Sequence, residues 1–418
     1  MRRLSLLPLV VLLSCGEDGT EDGAGSGATD MGSSEQRPDM AQDGRDVGQG
    51  TNDMGSEAPD MSGAGTEDLG VEDMGREGDL QALAALDEAD ANPGDWTWVP
   101  VEGALCRDGS GTGFLMRTQA EATNLMIYLE GGGACFNQFT CPTNPSSFGA
   151  GNAASQSEDL TDGIFDDTSP DNPVANWNVA YFPYCTGDVF AGTTVGGTVS
   201  GAEGPQDFVG FDNVALFSGL LADRYADSSS LLVTGISAGG FGAFFNFDQI
   251  AARFPEAEKT LLDDSGQPLA FGDALSPCLT QQWVDLWGIP LPDDCADCTP
   301  STDGLRGIAR YLRQKYPDAG LGLSSYLRDS VIRTFFLFGK NECSPTNPAP
   351  IAGADFEDAV LDFRDDHPDW ATFFVDGVGH TFLGGNRGFQ QTPSGGLALS
   401  DWLGALLDGD AQDLGPDQ

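Results

Sequence analysis

Positive charge is scarce in this sequence, and histidine is scarcer. Lysine and arginine total 19 against 65 aspartates and glutamates, a formal net charge of −46, and there are 2 histidines. A chain this acidic lacks the basic face on which nucleic acid is bound, so that class of partner is excluded. Long apolar runs are missing too. The run near the start, residues 4–13, falls well short of the ~20 residues a membrane-spanning helix needs, and no later stretch qualifies. Residues 16–92 have almost no aromatic or β-branched side chains and consist mostly of Gly, Asp, Glu, Ser and Met, with Asp-Met-Gly recurring at 30, 53 and 73. Such a composition buries too little apolar surface to offset the entropy of ordering the chain. It reads as a self-repelling tether with a short helix over residues 80–86 at its end.

What is present divides the chain into four parts. Arg2 and Arg3 before the apolar run have the form of a secretory signal, and Leu12-Leu13-Ser14-Cys15 resembles the bacterial lipobox, in which Cys15 becomes the lipidated mature N-terminus. The expectation is an exported cell-envelope lipoprotein, tied to the membrane through Cys15. Residues 1–15 are then the signal, 16–93 the linker, 94–407 the folded domain and 408–418 an acidic tail. Removing Cys15 from the 9 cysteines leaves 8, an even set of the kind an oxidising compartment favours. Cys295-Ala-Asp-Cys298 has the spacing of half a zinc site, but no second such pair or nearby histidine completes it. It is read as a disulfide, and no metal or cofactor is expected.

Within the folded part, strand and helix patterns alternate. Apolar runs predict strands at 113–116, 125–129, 179–182, 231–235, 260–262, 332–338 and 372–375, and helical periodicity lies between them at 208–225, 240–253, 305–315, 356–364 and 397–407. Strands that are apolar throughout and separated by helices imply a mostly parallel sheet covered on both faces. The predicted fold class is α/β, a three-layer sandwich of the α/β-hydrolase type.

The stretch Leu231-Leu-Val-Thr-Gly-Ile-Ser-Ala-Gly-Gly-Phe-Gly-Ala243 reads as a buried strand, a glycine-pinched turn with Ser237 at its apex, and a helix start. A serine so placed is the nucleophile of a strand-to-helix elbow, where the flanking glycines avoid collision. It needs a base, and histidine suits because its pKa lies near neutrality. His367, in a polar segment before Pro368, reads as an exposed surface residue, whereas His380 lies on a glycine-rich loop after the last predicted strand. His380 is therefore the predicted base. The acid that orients it belongs on the loop after the preceding strand, here taken as 332–338, and Glu342 is the first carboxylate there. Asp355, Asp358 and Asp376 are the other candidates. Oxyanion donors come from the amide of Ala238 and from Gly131-Gly132-Gly133, three glycines directly following a predicted strand.

These motifs together resemble the pectin acetylesterase family, which includes plant pectin acetylesterases and animal Notum carboxylesterases. The resemblance is carried by Cys106-Arg-Asp-Gly-Ser110, Leu129-Glu-Gly-Gly-Gly-Ala-Cys135, Cys141, the segment from Trp177 to Gly192 and Gly235-Ile-Ser-Ala-Gly-Gly240. It implies Ser237 and His380 as triad members, an oxyanion hole from the amides of Gly132, Gly133 and Ala238, and a disulfide between Cys135 and Cys141. The family's acid is an aspartate on the loop after the penultimate strand, and Glu342 in that place is a departure. Ala134 is another, since plant members carry an aromatic residue there.

The function expected is a serine carboxylesterase that removes acyl groups, acetyl above all, from an ester-bearing polysaccharide such as pectin. The acidic surface disfavours polygalacturonate, so a neutral glycan, a small ester or a lipid ester stays open. The one basic cluster, Arg306, Arg310, Arg313 and Lys315, reads as a structural helix face. The competing reading is a non-catalytic surface lipoprotein that keeps the hydrolase fold for binding.

Overall fold

A strand apolar on both faces needs helices above and below it, and this is the environment the chain builds. The computed structural model describes residues 71–416 except 296–297, 299–302 and 391–395, with side chains from residue 78 onward. The expected signal, Cys15 and most of the expected linker lie outside the described residues.

In chain order, helix α1 (Val71–Ala91) leads into strands β1 (Trp96–Leu105), β2 (Gly111–Arg117) and β3 (Asn124–Leu129), then helix α2 (Ala150–Asp159) and β4 (Asn178–Phe182). A ribbon of β5 (Thr194–Gly197) and β6 (Gln206–Phe208) precedes α3 (Gly210–Arg224), β7 (Ser230–Ile236), α4 (Ala238–Ala251) and β8 (Glu258–Asp264). Then come α5 (Pro277–Trp287), α6 (Arg306–Lys315), β9 (Gly320–Tyr326), α7 (Ser330–Phe336), α8 (Gly353–Asp366), β10 (Ala371–Val375), α9 (Asn386–Phe389) and α10 (Leu399–Leu407).

Eight strands form one sheet in the order β1-β2-β4-β3-β7-β8-β9-β10. The β1–β2 and β2–β4 pairings are antiparallel and all others are parallel. Alternation along β3 shows the three layers: Leu125, Ile127 and Leu129 enter the core on one face, Met126 and Tyr128 the core on the other. In β7, Leu231 and Val233 likewise face opposite to Leu232. The predicted α/β-hydrolase-like sandwich is what the sheet and its helices form.

Several expectations need correction. Residues 332–338 are not a strand. Asp329 caps a helix there, its Oδ1 accepting the N–H groups of Val331 (2.9 Å) and Ile332 (3.0 Å). Ile332 and Phe336, four residues apart, then bury on one helical face. The penultimate strand is β9, Gly-Leu-Gly-Leu-Ser-Ser-Tyr, which lacks a strand's usual bulky residues because α10 lies against it. A Cβ on Gly322 would come within 2.6 Å of Leu406 and 3.0 Å of Trp402.

The linker does not run to residue 93. The helix expected over 80–86 extends from Val71 to Ala91 and buries Ala82, Leu86 and Ala89 beneath the sheet's first strand. Nor are residues 408–416 a free tail. Leu414 exchanges backbone bonds of 2.7 Å with Thr372 and Phe374, and Asp413 accepts from the Thr372 amide at 2.9 Å.

Four disulfides, Cys106–Cys185, Cys135–Cys141, Cys278–Cys343 and Cys295–Cys298, use all 8 cysteines beyond Cys15, consistent with export. The basic helix face is structural as read: Arg306 pairs with Asp366, Arg310 with Asp303, and Lys315 with Asp248 and Asp294. Among the described residues no helix is long and apolar enough to cross a membrane.

Candidate active site

The site begins with a turn that only small residues permit. Ser237 joins β7 to α4 with φ 56° and ψ −117°. A Cβ on Gly239 would lie 1.9 Å from the Leu129 carbonyl oxygen, and one on Gly235 would lie 2.4 Å from the Gly239 carbonyl. Neither glycine can be replaced without moving backbone. The Ser237 N–H donates to the Asp264 carbonyl at 2.8 Å, which ties the turn to the end of β8.

Beside this turn runs the glycine loop leaving β3. Gly131 passes so close that a Cβ there would sit 2.9 Å from the Ile236 carbonyl and 3.4 Å from Cβ of Ser237. Asn144 Nδ2 donates to the Gly132 carbonyl at 3.0 Å, and the Tyr184 hydroxyl donates to the Gly133 carbonyl at 2.9 Å. Each carbonyl shares a rigid plane with the next residue's amide. Holding the Gly132 carbonyl therefore orients the Gly133 N–H, and holding that of Gly133 orients the N–H of Ala134. The Cys135–Cys141 disulfide closes the loop just beyond. Buried Arg107 braces it by donating to the carbonyls of Cys141 (3.3 Å) and Asn144 (3.0 Å) and to Gln206 (2.5 Å). Asp188 fixes the facing segment, accepting from the Thr186 hydroxyl (2.6 Å) and from the amides of Phe190 (3.0 Å), Gly192 (3.2 Å) and Gly210 (2.7 Å).

The histidine comes from the far end of the chain. His380 follows β10, and its Nδ1 lies 2.7 Å from Oδ2 of Asp329. Asp329 is wholly buried, and its other oxygen is occupied by the α7 cap, so the carboxylate has a fixed orientation. The loops after β9 and β10 are stitched together at the backbone: Arg328 N–H to the Gly377 carbonyl (2.9 Å) and Ser330 N–H to that of Val378 (3.2 Å). Gly379 lies flat on the Tyr326 ring, where a Cβ would come within 2.7 Å.

Glu342, the acid expected from the sequence, is not in this position. It sits exposed in a 3-10 turn over residues 341–343, with φ 59°, next to the Cys278–Cys343 disulfide. The rule that led to it, an acid on the loop after the penultimate strand, points to Asp329 once β9 replaces the mistaken strand. Asp376 is paired with Arg328, while Asp355 and Asp358 lie on α8. His367 is not a surface residue either. It is buried with its ring stacked 4.6 Å from Phe363, and burial lowers its pKa.

Next to Ser237, Gly133 and Ala238 opens an apolar pocket walled by Phe241, Trp283, Trp287, Ile332, Phe335 and Phe336, with a cavity of about 30 Å³. Besides Asp188 and Asp329, three more carboxyl groups around the site are withdrawn from solvent. Desolvation raises Glu130, on the oxyanion loop, to about 7, Asp263 to about 8 and Asp264 to about 6. Among the described residues no group of three or more His, Cys, Asp or Glu side chains could hold a metal ion.

Comparison with known proteins follows the same outline. A family model described as pectinacetylesterase matches residues 88–286. The palmitoleoyl-protein carboxylesterase Notum of Drosophila melanogaster is 28% identical over 216 residues, covering 47% of this chain and 32% of that protein. Pectin acetylesterase 11 of Arabidopsis thaliana is 26% identical over 174 residues, 40% of this chain and 43% of that one. The matched stretch thus spans less than half the length of these relatives. A solved structure of the Wnt deacylase Notum from Drosophila superposes with a TM-score of 0.55 at 20% identity, covering 74% of this chain and 92% of that one, a likeness of fold. The family match ends before Asp329 and His380, so their pairing rests on the geometry given above.

Proposed function

Because the chain belongs to the pectinacetylesterase family, we propose that it is a serine carboxylesterase in which Ser237, His380 and Asp329 form the catalytic triad. The observation that carries this reading is the 2.7 Å contact of His380 Nδ1 with a buried, doubly capped Asp329, on a loop tied to the same residue as the Ser237 turn.

With Nδ1–H held by Asp329, Nε2 is the free base. It takes the Ser237 proton as Oγ attacks the ester carbonyl, and the amides of Ala238, Gly132 and Gly133 receive the oxyanion. Collapse of the tetrahedral species expels the alcohol, which leaves with the proton from Nε2. Water, deprotonated by His380, then hydrolyses the acyl-enzyme and restores Ser237.

The acyl group is taken as acetyl, the group named in the plant relative, and the pocket that receives it is apolar, walled by Phe241, Trp283, Trp287, Ile332, Phe335 and Phe336. The alcohol side is a glycan with little negative charge, because a protein of net charge −46 repels a polyuronate. Export and a lipid anchor at Cys15 place the enzyme at the cell envelope.

Turnover of p-nitrophenyl acetate, butyrate and octanoate, with Ser237→Ala as reference, tests the reading. Serine-dependent hydrolysis that falls steeply with chain length is expected. Wild-type rates equal to those of Ser237→Ala would falsify the esterase assignment, and rising rates with chain length would overturn the short-acyl one.

A further inference from the structure

Three residues other than glycine adopt left-handed backbone around one point: Ser237 (φ 56°), Ser265 (φ 66°) and Thr381 (φ 62°). They are far apart in sequence, and Asp264 joins them. Its backbone carbonyl accepts the Ser237 N–H at 2.8 Å. Its Oδ2 accepts the N–H groups of Phe382 (2.7 Å) and Leu383 (2.9 Å), and its Oδ1 accepts the Ser265 hydroxyl at 2.9 Å. The Ser265 oxygen in turn accepts the Thr381 N–H at 3.3 Å. All three residues directly after His380 are therefore fastened to Asp264 and its neighbour, while the nucleophile's own amide is fastened to the same residue. Left-handed conformations at serine and threonine cost energy and persist where surrounding bonds enforce them.

Resting on the esterase reading above, we propose that Asp264 is a positioning residue. As a buried carboxylate it sets the height of the His380 loop over the Ser237 turn and so the alignment of base and nucleophile. A neutral acceptor could fill the same bonds. The charge makes them shorter and stronger, and it lies near the imidazole, where it favours the imidazolium that forms during attack. The groups that face this carboxylate are Asp263 on its own strand, Tyr128 of β3, Tyr326 of β9 and His380 itself. Burial holds the proton on Asp264 up to about pH 6, against the loop amides that pull the other way. Below that pH the loop bonds weaken, and the alignment of base and nucleophile weakens with them.

The test is kcat and KM for p-nitrophenyl acetate between about pH 4.5 and 8 in the full chain, Asp264→Asn and Ser265→Ala. Asp264→Asn keeps acceptors for the loop but loses the charge, and is expected to lower kcat about 100-fold with KM nearly unchanged. The advantage of wild type over Asp264→Asn is expected to shrink below about pH 6, where Asp264 itself takes up a proton. Ser265→Ala, which leaves the buried charge alone, is expected to lower kcat about tenfold. The downfield proton of the His380–Asp329 bond, read by NMR, should be lost in Asp264→Asn and kept in Ser265→Ala. Wild-type kcat in Asp264→Asn, or a wild-type advantage that does not change with pH, overturns the proposal. Should Asp264→Asn not fold, unchanged kcat in Ser265→Ala overturns it instead. Absence of Ser237-dependent turnover in wild type, together with no labelling by a fluorophosphonate, is the separate result that sinks the esterase reading.

Discussion

The two halves of the site are held in place by different physics. The half from the middle of the chain, the Ser237 turn and the glycine loop after β3, is fixed by sterics. Glycines at 131, 235 and 239 let three backbones approach within contact. The half from the end of the chain, Asp329 and the His380 loop, is fixed mainly by hydrogen bonds to buried carboxylates. The second half depends on proton occupancy, because one of its anchors, Asp264, is a group that burial pushes towards neutrality.

Substitutions can separate the two. The largest effect is expected from Ser237→Ala, a loss of about a million-fold in kcat with KM little changed, measured in steady-state assays against a blank of denatured protein. Asp329→Asn comes next. It leaves the imidazole in the wrong tautomer and is expected to cost about 10⁴-fold in kcat, while Glu342→Gln leaves turnover as it is. Equal loss in both, or loss in Glu342→Gln alone, would return the acid to Glu342. Phe335→Ala is smaller and of a different kind. It enlarges the acyl pocket, and the ratio of butyrate to acetate hydrolysis should rise about tenfold.

The smallest effect concerns stability. Glu130, Asp263 and Asp264 hold protons to about pH 7, 8 and 6 in the folded protein, all above the ordinary carboxylate range. Between the ordinary range and these values folding takes up protons, so the folded state is favoured at low pH and loses ground as pH rises. Urea midpoints should therefore fall from about pH 4 to 8, with Asp264 alone contributing on the order of 3 kcal/mol. Asp264→Asn should flatten that slope. A midpoint that climbs over this window would contradict the assigned burial.

The same contrast explains what could be read from sequence. The steric half is local: Gly-Ile-Ser-Ala-Gly and Glu-Gly-Gly-Gly state their own geometry, so Ser237 and the oxyanion loop were visible in the residues themselves. His380 was found because histidine is so rare here. Asp329 was hidden by a secondary-structure error. Residues 332–338 are rich in β-branched and aromatic side chains, and β9 is built from glycine, leucine and serine, so propensity exchanged helix for strand. One signal was available, an aspartate directly before apolar residues spaced four apart, which is a helix start. Nothing local marks Asp264, whose partners lie more than a hundred residues downstream. The helix at the end of the acidic segment was read as short because, among the described residues, α1 buries only Ala82, Leu86 and Ala89, too little to stand out in a run of glycine and aspartate.

Helix α7 carries one further consequence. Asp329 caps it, and its next turn presents Ile332, Phe335 and Phe336 to the acyl pocket. The carboxylate beside His380 and part of the wall of the apolar pocket thus belong to one short helix. On the esterase reading, a substitution that shifts α7 is expected to change acyl preference and turnover together.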